Sequence, residues 1–231
     1  MDILGLLYPK RCVLCKKLGS YLCENCFSYL SFDEKSLCLL CGKPSYNGLT
    51  HTACHKRYSI DGCFSALSYN KIAKKLIYSF KYKPYLKDLK ALLTDLFYES
   101  LIQNENFNRE LQGEKWLFVP VPLFKTKFRN RGYNQAEVLS FELAKRLNFV
   151  SVDALERIKN TPSQTALKEK ERRENVKNAF FFKKRFTGLL KNKNVFLVDD
   201  VLTTGSTLLE VANVLKRAGV KKVIGLTLAR D

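Results

Sequence analysis

Apolar residues recur along this 231-residue chain in two rhythms, and each change of rhythm marks an element. Ile72, Ala73, Leu76, Ile77 and Phe80 have the spacing of a helix with one apolar face. Leu86, Leu89, Leu92, Leu93, Leu96, Phe97 and Leu101 predict a second, longer helix. Ala136, Val138, Leu139, Leu143, Ala144 and Leu147 predict a third, with Asn134 placed to cap its first amides. Between these the rhythm shortens. Gly62 to Tyr69 reads as a strand, and so does Trp116 to Val121, which stops at Pro120 and Pro122 because proline has no amide for a central ladder. Ala179 to Phe182, 194–199 and Val223 to Leu228 are further strands. Asn104 to Glu114 reads as a polar loop, and 158–177 as a mobile charged segment with hardly any apolar periodicity. Strands alternating with helices predict an α/β domain on a parallel sheet, with ligands at the carboxyl ends of the strands.

The run 195–207 carries the most chemistry. Val195 to Val198 is a short, fully apolar strand that runs directly into Asp199 and Asp200. Thr203, Thr204, Gly205, Ser206 and Thr207 follow, then the helical pattern Leu208, Leu209, Val211, Ala212, Val214 and Leu215. A sharp turn at Gly205 leaves amides exposed at a positive helix end, which is a phosphate-binding geometry. Two carboxylates at the strand's end suit paired sugar hydroxyls. One loop with a phosphate at one end and a diol at the other describes a ribose 5-phosphate.

Cysteine usage separates a first region, 1–60, from the α/β region, 61–231. Six cysteines form three Cys-x2-Cys pairs, Cys12/Cys15, Cys23/Cys26 and Cys38/Cys41, and His51/Cys54 repeats the spacing with a histidine first. Two intervening residues let both side chains turn onto one tetrahedral ion, so the four pairs supply two closed structural zinc sites. Closed sites leave no position for a catalytic water, which argues against a zinc hydrolase. Sequential pairing (Cys12, Cys15, Cys23, Cys26, then Cys38, Cys41, His51, Cys54) is preferred, and interleaved pairing stays open. His55 competes with His51 but breaks the spacing; Cys63, in a strand-like run, reads as a buried apolar residue.

No stretch approaches the roughly 18 apolar residues that span a bilayer. An early acid and no cleavage-like site within Met1 to Pro9 argue against a signal peptide, so a cytoplasmic protein is expected. The 40 basic against 22 acidic residues give a net charge of +18. That excess fits contact with nucleic acid or another polyanion, and equally a lysine-rich solvated surface.

The two acids and the Thr-Thr-Gly-Ser-Thr loop resemble the phosphoribosyl-pyrophosphate (PRPP) signature of type I phosphoribosyltransferases. With the cysteine pairs, the chain from Cys12 to Arg230 resembles the competence protein ComF family and its gluconate-utilisation relative GntX. The resemblance runs through Leu76 to Tyr82, Val119 to Leu123, Arg131 to Gln135, Thr161 to Gln164, Arg172 to Val176 and Asn178 to Phe180. His51 stands where relatives usually carry cysteine. The fold implied is a type I phosphoribosyltransferase parallel-sheet domain preceded by a small zinc-ribbon domain. PRPP contacts are implied for Asp199, Asp200, Val201, Leu202, Thr203, Thr204, Gly205, Ser206 and Thr207, with Lys81, Val121 and Pro122. Arg129 and Arg131, on a cationic turn, would join Asp199 and Asp200 in catalysis by supplying charge to the leaving pyrophosphate. Segment 158–177 matches the flexible lid, closing through Thr161, Gln164, Arg172 and Arg173. The family further implies Mg²⁺ with PRPP, a role in DNA uptake during natural transformation, incoming single-stranded DNA and a helicase-like partner. Two functions follow: an enzyme passing phosphoribosyl to an acceptor the sequence does not name, or a single-strand-binding adaptor that keeps the PRPP loop as a sensor.

Overall fold

The computed structural model describes residues 9–33, 35–82, 88–160 and 174–231. Its elements begin with a one-turn helix, α1 (Glu24–Phe27), among the cysteines. β1 (Gly62–Ser68), α2 (Lys71–Lys81), α3 (Leu89–Ile102) and α4 (Glu105–Leu111) follow. Then come β2 (Trp116–Pro120), α5 (Lys125–Arg131), α6 (Gln135–Arg146), β3 (Val150–Ser151), β4 (Leu155–Arg157) and β5 (Phe180–Phe182). α7 (Thr187–Leu190), β6 (Asn194–Leu202), α8 (Ser206–Arg217) and β7 (Lys222–Arg230) complete the series.

Five strands form one sheet in the order β1-β7-β6-β2-β3, and every pairing in it is parallel. β4 and β5 form a separate antiparallel pair. Side chains alternate across β6. Phe196 and Val198 join the core on the face covered by α2, α3 and α6, while Val195 and Leu197 join the core on the face covered by α8. Burial on both faces explains why this strand reads as a continuous apolar run. Phe196 anchors its face, with Trp116 stacked on it at 3.9 Å and Phe118 and Phe107 at 5.2 and 5.4 Å.

Local signals account for most boundaries. Asn70 accepts from the amides of Ile72 and Ala73 at the start of α2, and Asn134 accepts from Ala136 at the start of α6. Asn134 also donates to the carbonyl of Val121 at 3.0 Å, tying α6 to the end of β2. Pro120 is the last residue of β2, opposite Val198, and the next amide, Val121, donates to the Val198 carbonyl.

Three expectations are corrected. Asn104 to Glu114 is not a loop throughout: Asn104 caps α4, whose Phe107 is fully buried. The cationic turn at 125–131 is the helix α5, closed by Gly132 in the left-handed region at φ 79°. Strand 194–199 extends to Leu202, so Val201 and Leu202 belong to β6. The lid residues Thr161, Gln164, Arg172 and Arg173 lie outside the described residues; at the described end of that segment, Val176 is buried in the core.

The cysteine-rich region docks on β1 and β7. Phe32 bridges to Leu67 and Leu49 to Gly62. Asp33 pairs with Arg230 at 2.7 Å, with side chains only 2% and 7% exposed. Burial raises the Asp33 carboxyl, against the pull of Arg230. Among the described residues no helix is long and apolar enough to cross a membrane.

Candidate functional site

The carboxyl end of β6 delivers Asp199 and Asp200 to the sheet edge, and the chain turns through Thr203 to Gly205 into α8. Gly205 has φ 73°, a conformation that L side chains rarely adopt, and a Cβ there would fall 2.6 Å from Cδ1 of Leu39. The turn demands glycine, and a side chain there would also have to displace Leu39. No side chain caps α8, so its first amides are presented to the loop. Oγ1 of Thr204 and Oγ of Ser206 are bonded at 2.8 Å, and Thr203, Gly205, Ser206 and Thr207 with Leu202 line a small hollow beside them.

A cavity of about 660 Å³ opens next to this hollow, within the range of small-ligand sites. Asp199, Asp200, Val201, Thr203 and Thr207 line it, with Lys81, Val121, Pro122 and Arg131 from other elements. Lys81, at the end of α2, donates to Oδ1 of Asp200 at 2.6 Å, the two side chains being 19% and 15% exposed. Burial works to deprotonate Lys81, and the Asp200 carboxylate outweighs it, so the ammonium pKa is raised. Asp199 accepts from the Asp200 amide at 2.8 Å. Burial first and then the adjacent Asp200 push its carboxyl up to about 7.

Two further cations reach the cavity. Lys127 lies on α5 and Arg157 on β4, the latter only 8% exposed. Burial depresses both, Arg157 and Arg131 depress Lys127 further, and Asp199 partly restores Arg157. Lys127, Arg131 and Arg157 therefore face one another across a space that an anion of several charges would relieve. Arg131 is held in place by Gln135 at 2.5 Å and lies over the Tyr82 ring at 5.3 Å. Arg129 is exposed and does not line the cavity. Sequence reasoning singled out Arg129 and missed Arg157. The signal for Arg157 was faint, since β4 is three residues long and shows no periodicity.

Both cysteine sets assemble in sequential order. The ligand atoms of Cys12, Cys15, Cys23 and Cys26, and those of Cys38, Cys41, His51 and Cys54, lie within 4.8 Å of one another in each set. A tetrahedral zinc with bonds of about 2.3 Å spaces its thiolates about 3.8 Å apart, so both sets fit that ion. Burial opposes ionisation of Cys12, but the amides of Cys15, Cys23 and Leu14 lower its thiol to about 6. Cys38 is likewise brought to about 7 against burial, by the amides of His51, Cys41 and Leu40. Nδ1 of His51 lies 3.3 Å from the Cys41 sulfur, and its Nε2 donates to the Pro44 carbonyl at 2.9 Å. That bond leaves Nδ1 as the free lone pair for a metal. The rival His55 turns away to Asp61 at 3.0 Å.

The chain matches the family model of the Phosphoribosyl transferase domain over residues 132–231, and that of the Double zinc ribbon domain over residues 3–55. It is 41% identical to Competence protein F of Haemophilus influenzae over 119 residues, 48% of this chain and 49% of that one. Against DNA utilization protein YhgH of Escherichia coli K12 the identity is 30% over 227 residues, 94% of this chain and 96% of that one. Competence protein ComFC of Streptococcus pneumoniae is 27% identical over 215 residues, 93% and 83% of the two chains. Fold and motifs together define a phosphoribosyltransferase-type parallel-sheet domain joined to a double zinc ribbon, whose two clusters support structural zinc. The chain belongs to the ComF/GntX family of competence and DNA-utilization proteins.

Proposed function

We propose that this protein binds PRPP at the end of β6 and acts in the handling of single-stranded DNA during uptake, in the cytoplasm. The observation that carries the reading is the cavity whose lining brings together Thr203 and Thr207 of the loop, the pair Asp199/Asp200 and the cations Lys127, Arg131 and Arg157. They match, in order, a 5-phosphate, a vicinal diol and a pyrophosphate. The amides at the start of α8 and the hydroxyls of Ser206 and Thr207 hold the 5-phosphate. Asp199 and Asp200 accept from the 2- and 3-hydroxyls and favour positive charge on the ribose ring. Lys127, Arg131 and Arg157 take up the charge that leaves with pyrophosphate when the anomeric C–O bond breaks. The acceptor's lone pair then forms the new bond from the opposite face. Magnesium bound with PRPP would neutralise pyrophosphate charge, and the two aspartates are hard oxygen donors that fit it. The names of the relatives and the +18 charge support the DNA setting.

Titration calorimetry with PRPP and Mg²⁺ tests the binding, and no heat sinks it. Pyrophosphate release, assayed with single strands and free bases as acceptors, separates two forms of the reading. Release identifies a transferase, and binding without release identifies a ligand-sensing adaptor. Exposed Tyr29 and Tyr46 on a strongly basic chain favour strand contact in either form.

Affinity should also depend on pH. Asp199 holds its proton below about 7, and its carboxylate accepts from ribose hydroxyls more strongly than the neutral acid does, so binding draws off a proton near neutrality. PRPP affinity is expected to rise several-fold between about pH 6 and 8. Asp199→Asn should flatten that part of the profile, leaving the slope from the ligand's own phosphates. An unchanged profile in the variant would remove Asp199 from the diol site.

A further inference from the structure

Leu39 lies between Cys38 and Cys41, in the knuckle of the second zinc ribbon, far in sequence from the loop at 203–207. In space the two are in contact. A Cβ built on Gly205 would lie 2.6 Å from Cδ1 of Leu39, 2.9 Å from its Cγ and 3.3 Å from its Cδ2. The whole isobutyl end of Leu39 therefore covers the turn from which α8 starts. Leu39 packs against the buried cluster that contains Leu202 and Leu208, the apolar residues on either side of that turn.

The knuckle has little else to fix it. Cys38 closes a tight turn with bonds to Lys43 and Gly42, and its sulfur accepts from the amides of Leu40 and Cys41. A metal held by Cys38, Cys41, His51 and Cys54 would pin both ends of the Leu39–Leu40 peptide. Without it, two partly buried leucines, the Cys38 backbone hydrogen bonds and a bridge between Leu37 and Pro44 are left to hold the turn.

We propose that Leu39 is a positioning residue for the phosphate loop, through which occupancy of the second zinc site and anion binding at Gly205 strengthen each other. The proposal rests on reading loop 203–207 as a 5-phosphate site. The first ribbon, built by Cys12, Cys15, Cys23 and Cys26, packs in the other core cluster and takes no part. Because coupling between two sites is reciprocal, PRPP should tighten the second metal site as much as that metal tightens PRPP.

Zinc-loaded wild type, Leu39→Ala and Leu39→Met are titrated with PRPP and Mg²⁺ by calorimetry, after zinc content is counted. Leu39→Ala is expected to keep both ions yet bind PRPP about tenfold more weakly. Leu39→Met, which preserves volume, restores most of the affinity. In cadmium-substituted wild type each site gives its own NMR resonance, and PRPP should shift the one from the three-cysteine, one-histidine site while sparing the four-cysteine site. This measurement decides the matter if Leu39→Ala loses metal or fails to fold. Unchanged affinity in zinc-replete Leu39→Ala, or an unshifted resonance in PRPP-bound wild type, overturns the coupling alone. Wild type that does not bind PRPP overturns the phosphate reading and the coupling with it.

Discussion

Asp200→Asn is expected to weaken PRPP binding by at least about a hundredfold, while leaving the shape of the site unchanged. Asparagine is isosteric, so the loss is one of charge. A hydroxyl donating to a carboxylate contributes about 1.5–3 kcal/mol, and with its ribose hydroxyl Asp200 would also lose its share of the Mg²⁺ bound with PRPP. The substitution also strips Lys81 of the partner it holds at 2.6 Å in a mostly buried position. Some stability is therefore lost as well, since half of a buried pair is worse than none. Lys81→Met in the same background separates the two effects. Thermal stability should recover in the double variant, and PRPP affinity should not. A single variant that binds like wild type would remove Asp200 from the site.

Stripping zinc should unfold the region before β1. Of the described residues between 9 and 55, the buried apolar set is Cys12, Val13, Cys26 and Cys38, and three of those four are metal ligands. So small a core cannot offset the entropy of ordering the segment, whereas a structural zinc contributes roughly 10–16 kcal/mol. A strong chelator should release two ions per chain and open protease sites ahead of residue 60, with the sheet still folded. An unaltered cleavage pattern after complete zinc release would defeat this account.

How far the sequence could be read depended on whether burial left a pattern. β6 is buried on both faces, so its apolar run, its twin acids and the loop after it were all visible as residue types. The metal sets were visible for a similar reason, since ligand spacing is written directly in the chain. α5 has no buried residue, so periodicity could not distinguish it from a turn. That one misreading carried into the site. In a turn Arg129 and Arg131 look equivalent, but on a helix Lys127 and Arg131 are four apart and share a face, and Arg129 points elsewhere. α4 hides a single buried aromatic, Phe107, among polar residues, and only its Asn104 cap announced it. β3 and β4 are two and three residues long, and such strands exist by virtue of the partner they pair with. Leu39 carried no signal at all, because its significance lies in a contact with residue 205.

The strand order has a consequence for biosynthesis. β7 is inserted between β1 and β6, so β1 has no neighbour in the sheet until translation has passed residue 222. Chains emerge N-terminus first, so the ribbons and β1 leave the ribosome long before β7, with the Arg230 that pairs with Asp33, exists. Both sets of thiolates must capture their ions during that interval, or stay open to oxidants and chaperones while the rest is made. Yield of correctly assembled protein should then follow the cell's zinc supply at the moment of synthesis, whatever metal is offered to the finished fold.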